Sequence, residues 1–327
     1  MQFKSLVRSV AVGAALLAGV QAAAAQEELN FGIISTESSQ NLRTIWEPFL
    51  EDMQEQTGFK INAFFAPDYA GIIEGMRFDK VQVAWFGNAS AIQAVDRADG
   101  EVFAQTVASN GAPGYWALLI VNKDSPIKSF DDLKNSPGKY TFGNGDPNST
   151  SGFLVPSYFA WAENGVDPRT HFTRMLTSNH EANALAVANG QVDVATNNTE
   201  NMDRLKVTAP EKALLIREIW RSPLIPSDPI VWRKDLPAET KEKVKTFFIS
   251  YGTERAGVGA GQVAEEKAVL EALGWAPFRE SSNAQLIPIR KLALFRDKLK
   301  IENDANYSEA EKKAKIEEID AKLQAIN

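Results

Sequence analysis

Short apolar runs alternate with amphipathic ones along most of this chain, and that alternation constrains its fold more than any single motif. Strand-length runs fall at 29–34, 60–66, 81–87, 101–109, 115–122, 139–143, 172–177, 192–197, 214–220 and 230–232. Between them, Leu42, Ile45, Trp46, Phe49 and Met53 follow the three-four spacing of a buried helical face. Segments 68–77, 151–164, 180–188 and 241–251 read as further helices. Strands interleaved with helices in this way predict layered α/β architecture.

One pattern occurs twice. Lys80-Val81-Gln82-Val83-Ala84 is followed by Asn88, and Gly190-Gln191-Val192-Asp193-Val194-Ala195 by Asn197-Asn198. Each reads as a helix end, a short strand and an Asn-bearing turn into a new helix. The echo suggests two lobes of like topology, and coincidence between two ordinary βα units is the alternative. Asn122-Lys123-Asp124-Ser125-Pro126 reads as the exit from the first lobe, and the Pro-rich 222–229 as the return. The expected division is a discontinuous first lobe, 26–122 plus 227–300, a continuous second lobe, 123–226, and a tail, 301–327. The Gly-rich 256–261 reads as a flexible loop. The tail is charged, with a thin stripe of Ile316, Ile319, Leu323 and Ile326, as in a solvated helix or one that meets a partner.

Residues 1–25 read as a secretory signal rather than as part of the fold. Lys4 and Arg8 precede an apolar stretch, 10–20, too short to span a bilayer, and Ala23-Ala24-Ala25 offers a cleavage site after Ala25. An uncleaved anchor is the alternative. There is no cysteine, so an exported chain must rely on its core, and the lipid-attachment residue of a bacterial lipoprotein is missing. These features predict a free periplasmic protein of a double-membraned bacterium. The whole chain carries a net charge of −7; removing Lys4 and Arg8 from its 35 basic residues leaves 33 against 42 acidic ones, or −9. That balance argues against nucleic acid and anionic membranes as partners.

The stretch from Asn144 to Gly152, Asn-Gly-Asp-Pro-Asn-Ser-Thr-Ser-Gly, joins a strand-like run to a helix-like one. It sets Ser149, Thr150 and Ser151 where a helix begins. Unpaired N–H groups and the helix dipole make such a start a site for an oxyanion, while Ser and Thr are also ordinary caps; spacing alone leaves both readings open. Gly143, Gly145 and Gly152 were candidates for letting backbone approach a ligand.

A Ser149, His180, Asp228 triad can be drawn, but no Gly-x-Ser-x-Gly elbow accompanies it, so a secreted hydrolase is a remote alternative. Two histidines, His171 and His180, and no cysteines make a poor transition-metal set, and no nucleotide-binding Gly motif is present. No cofactor is expected.

Several segments carry a resemblance. They are 31–38, 64–73, Pro113-Gly114-Tyr115-Trp116, 143–156, 184–201, Leu224-Ile225-Pro226 and 228–233. In order and over about residues 29–294, the chain resembles the phosphonate-binding periplasmic proteins of ABC transporters, the group that binds 2-aminoethylphosphonate. The Gly-rich 256–262 and the last thirty residues depart from the pattern. The resemblance implies a two-lobed periplasmic-binding fold of type II-like architecture with the ligand between the lobes, no enzymatic activity, and an inner-membrane permease as partner. It implies that the phosphonate is held by Ser149, Thr150 and Ser151 with Tyr69 and Tyr115. The ammonium falls to Glu200 and Asp228, and His180 is a further pocket residue. Ser227 stands where close relatives can have Gly, which bears on pocket size.

The residues fit that chemistry without the resemblance, but do not require it. Hydroxyls and helix N–H groups supply donors to a phosphonate without adding net charge. Tyr69 and Tyr115 read equally well as core. Glu200 alone is a surface charge near a helix start, and Asp228 alone caps a turn. Together they are two carboxylates for one ammonium. A same-fold receptor for alkylphosphonate, phosphite or phosphate would need neither.

Overall fold

The computed structural model describes residues 27–326. The expected signal segment and its cleavage site lie outside them. The chain runs β1 (Glu28–Ile33), α1 (Ser39–Thr57), β2 (Lys60–Phe65), α2 (Tyr69–Arg77), β3 (Val83–Trp85), α3 (Asn88–Arg97) and β4 (Gly100–Ala108). It crosses by β5 (Gly114–Tyr115) to β6 (Ala117–Asn122), α4 (Phe130–Lys134), β7 (Thr141–Gly145), α5 (Pro168–His171) and β8 (Arg174–Ser178). Then come α6 (His180–Ala188), β9 (Val194–Asn198), α7 (Thr199–Thr208), α8 (Pro210–Ala213) and β10 (Ile216–Arg221). It returns through β11 (Ile225–Pro226) to β12 (Pro229–Arg233), α9 (Ala238–Ser250), α10 (Ala260–Ala272), β13 (Trp275–Glu280), α11 (Ile287–Asn303) and α12 (Glu309–Ala325).

Two mixed sheets result, each the centre of a lobe. One has the order β13-β4-β12-β3-β1-β2, the other β10-β6-β9-β7-β8, and a two-stranded ribbon, β11-β5, lies at the crossing. The sheets are built alike. β1 is parallel to both β2 and β3, and β12 closes antiparallel on β3. β7 is likewise parallel to β8 and β9, and β6 closes antiparallel on β9. The echoed strands β3 and β9 therefore hold equivalent places.

Local chemistry explains the element ends. Ser38 caps α1, its hydroxyl accepting from Asn41 N–H, and Gly58 ends it at φ 76°, a left-handed turn that favours glycine. The intervening face buries Leu42, Trp46, Phe49, Leu50 and Met53. In the first lobe Phe31 and Trp46 meet at 5.3 Å and Phe49 and Tyr251 edge-on at 5.1 Å. In the second, Phe142 stacks on Phe172 at 4.6 Å with Trp161 against both. Burying such large rings stabilises each lobe by about 1.5–3 kcal/mol per side chain.

Four features differ from the sequence reading. The run 115–122 is not one strand of the first lobe: it breaks at Trp116, and β6 joins the second sheet between β9 and β10. Ala117 to Val121 are buried without interruption, so β6 needs a sheet partner on each edge and cover on both faces, which only the second sheet offers. The crossing thus falls at Gly114–Trp116, and 122–126 is a turn within the second lobe. β13, unforeseen, closes the edge of the first sheet. The Gly-rich segment is short, since α10 already starts at Ala260 with Gly259 as its cap. Beyond Ser149 the backbone winds as wide, π-type turns, Thr150–Leu154 and Pro156–Trp161, rather than as a regular α-helix. At the C-terminus, α11 packs on α12, which buries Ile319 of the expected stripe.

Candidate functional site

In a parallel sheet all strands end on the same side, and each following helix points its N-terminus there. Three such turns occur in each lobe, and six of them deliver residues to one cavity. Thr36 comes from the β1–α1 turn, Tyr69 from the start of α2 and Gly87 from the cap of α3. Ser149, Thr150 and Ser151 come from the turn after β7, His180 from the start of α6, and Asn198 and Glu200 from the start of α7. The crossing segments add Tyr115 and Asp228. The cavity is thereby lined by every ligand contact the resemblance implied: Tyr69, Tyr115, Ser149, Thr150, Ser151, His180, Glu200 and Asp228.

The hydroxyls form a directed set. Ser149 Oγ accepts from Gly152 N–H at 3.0 Å, Thr150 Oγ1 from Ala89 N–H at 2.8 Å, and Ser151 Oγ from Asn198 Nδ2 at 3.0 Å. A hydroxyl whose oxygen is engaged by an N–H still has its own proton to donate. Three O–H donors at a helix start suit an oxyanion, which accepts through every oxygen. Ser149 and Ser151 each lie 3.4 Å from His180 Nε2. Burial, aided by the Arg204 charge, depresses the His180 pKa to about 4, so the ring is neutral. The Tyr69 hydroxyl adjoins Ser149, and burial pushes its ionisation far up, so it too keeps its proton.

The opposite wall is acidic. Tyr115 O–H donates to Asp228 Oδ1 at 2.9 Å, and Asp228 N–H to Thr106 Oγ1 at 3.1 Å. Burial raises the Asp228 carboxyl well above its ordinary range, and the neighbouring Glu200 raises it further. Glu200 is raised chiefly by burial, with Arg204 partly opposing. Arg204, on α7, is itself engaged in an ion pair with Glu37 in which both side chains are largely buried, 12% and 4% exposed. The two acids thus share the cavity with a guanidinium, that of Arg204, which is already paired with Glu37, so a cationic ligand would further favour their ionised forms.

Sequence reasoning missed Ile34, Thr36, Trp85, Gly87, Asn198 and Arg204 in the lining. Thr36 was reachable: Ser35-Thr36-Glu37-Ser38 leads into α1, capped by Ser38, as the hydroxyl run at Ser149 leads into the topologically equivalent turns, capped by Ser149. Arg204 lies a turn into α7 and carries no signal of its own. Among the described residues Thr36 Oγ1 and His180 Nδ1 are buried without a hydrogen-bond partner, Trp85 Nε1 makes no well-formed hydrogen bond, and all three residues line the cavity. Trp85 still lies close enough to Asp228 to favour its ionised form. Buried polar groups so placed favour a polar ligand. The glycines act differently from expectation. A Cβ on Gly145 would fall 2.5 Å from the Gly152 backbone, and one on Gly152 2.8 Å from Ser149 Oγ. They let the loop fold on itself and so aim the hydroxyls.

The model of the family "ABC transporter, phosphonate, periplasmic substrate-binding protein" matches residues 31–286. The phosphonates-binding periplasmic protein of Escherichia coli is 58% identical over 312 residues, 95% of this chain and 89% of that protein. A crystal structure of a binding protein component of an ABC phosphonate transporter from Pseudomonas aeruginosa superposes with a TM-score of 0.87 at 58% identity, covering 92% of this chain and 97% of that one. The phosphate-import protein PhnD of Mycolicibacterium smegmatis is 29% identical over 68% of this chain and 71% of its own length. Together with the two-sheet fold and its cleft, these matches show that the chain belongs to the phosphonate-binding periplasmic components of ABC transporters, a family that binds its ligand without transforming it.

Proposed function

We propose that this protein captures 2-aminoethylphosphonate in the periplasm and delivers it to its inner-membrane permease. The observation that carries the choice of ligand is the paired Glu200 and Asp228, both shifted toward the protonated form, in the cavity that holds the three O–H donors of Ser149, Thr150 and Ser151. The phosphonate oxygens accept from those hydroxyls and from Tyr69, and the ammonium relieves the carboxylate pair. Tyr115, bound to Asp228, orients that acid. Because the hydroxyls, His180 and Glu200 belong to the second lobe and Tyr69 to the first, the ligand joins the lobes, and hinge closure follows binding. The β5–β11 ribbon beside Tyr115 lies where the chain crosses, so it is the segment that bends.

The rival is a receptor for another oxyanion, and the M. smegmatis relative, by name a phosphate importer, keeps it in view. It has no use for two carboxylates. Calorimetry on protein freed of ligand decides between them. Binding of 2-aminoethylphosphonate at least 30-fold tighter than ethylphosphonate or phosphate is the expected result, since one charged contact in a buried site is worth about 2–5 kcal/mol. Equal affinity for the first two would overturn the amine assignment.

A further inference from the structure

The cleft walls meet through more than the ligand site. The first backbone N–H groups of a helix lack partners within it, and three helices of the first lobe find theirs on the second. At α1, Ser38 N–H donates to Glu181 Oε2 at 2.7 Å, and the Asn41 side-chain amide donates to Glu181 Oε1. At α2, Tyr69 N–H donates to Asp146 Oδ2 at 3.2 Å. At α3, Ala89 N–H donates to Thr150 Oγ1 at 2.8 Å. Glu181 N–H also donates to Thr36 O at 3.3 Å, and beside it runs the Glu37–Arg204 ion pair. Glu181 and Asp146 do not line the cavity.

We infer that Glu181 and Asp146 are positioning residues that latch the closed cleft by capping α1 and α2 across the lobe boundary, and so set the affinity for every phosphonate alike. A carboxylate at a helix start gains from the dipole and from charge-assisted hydrogen bonds. Glu181 sits on α6 and Ser38 before α1, on different sheets, so these bonds exist only while the lobes are together. Opening returns both partners to water. The contacts therefore act on the fraction of molecules able to hold ligand, and apparent affinity scales with that fraction whatever the ligand. Thr150 links the two devices, since its oxygen takes the α3 cap while its side chain lines the cavity.

The test is Glu181→Gln. Both carboxylate oxygens accept from N–H donors, so a glutamine must turn its NH2 against one of them. The expected result is a Kd raised about tenfold for 2-aminoethylphosphonate and for ethylphosphonate alike, with their ratio kept within about twofold. Small-angle scattering of the ligand-saturated variant should match wild type. Asp146→Asn should move both ligands the same way by a smaller factor. A changed ligand ratio would place Glu181 in the site itself, and unchanged affinities would remove the latch; either overturns the inference. The inference needs only that a phosphonate binds on closure. Equal wild-type affinity for the two ligands would end the amine reading and leave this test intact.

Discussion

Where Ser149, Thr150 and Ser151 face the cavity, each hydroxyl oxygen is already engaged by an N–H, whereas Glu200 and Asp228 are two buried acids whose nearby guanidinium, Arg204, is already paired with Glu37. The first region is satisfied before any ligand arrives and offers donors at little cost. The second is burdened by burial, and a positive group relieves it. Preorganised donors confer affinity for a whole class of anions, while a buried acidic pair confers preference within the class. The two regions should therefore fail differently when altered.

The largest effect is expected at the acidic end. Asp228→Asn or Glu200→Gln should weaken 2-aminoethylphosphonate by about 2–5 kcal/mol while moving ethylphosphonate little, or even tightening it, because the buried repulsion is gone. Calorimetric titration of both ligands reads this directly. A parallel loss for the two ligands would show that the acids support the pocket rather than select.

At the hydroxyl end the loss should be smaller and blind to the amine. Thr150→Val keeps the shape but removes the acceptor for Ala89 N–H and the donor to the ligand. A weakening of about 1–3 kcal/mol for both phosphonates is expected, the cost of buried groups left unpaired. Competition assays that show selective loss of the amine ligand would merge the two regions into one.

The two ends also differ in how far the sequence reveals them. The hydroxyl run is contiguous, and its strand-turn-helix setting can be read from apolar periodicity, because local chemistry decides a helix start. That it begins a wide, π-type helix could not be read, since that depends on the loop packing Gly145 on Gly152. Glu200 and Asp228 stand far apart in the chain, and only the resemblance paired them; their mutual charge effect depends on topology. The same holds for Arg204 and its partner Glu37, joined across lobes with no local sign. The alternation of runs showed the α/β plan and the repeated strand pattern suggested its two lobes, but placing the crossing at Gly114–Trp116 required knowing that β6 is covered on both edges, a long-range fact.

The subtlest expectation concerns protons. In the ligand-free protein Asp228 lies well above its usual value of 3.8, through burial first and Glu200 second. A carboxyl raised in the folded state contributes stability that is complete below its unfolded value and is lost as pH rises through the folded one. At neutral pH, where the carboxyl would be ionised in the unfolded chain, burying Asp228 is thus a burden, and Asp228→Asn should raise the ligand-free melting temperature there while leaving it nearly unchanged in acid. An ammonium brought to the pair favours its ionised form and drives out any proton it holds. Binding of 2-aminoethylphosphonate should therefore release up to about one proton more from the wild-type protein than from Asp228→Asn, a comparison in which the ligand's own ionisation is common to both and cancels. The ratio of wild-type to Asp228→Asn affinity for 2-aminoethylphosphonate should rise with pH across the same window. Titrations in buffers of different ionisation heat measure the difference in release. A ratio that stays flat from about pH 5 to 8 would mean that both acids are already ionised before the ligand enters, and that the contrast between the two ends is one of geometry alone.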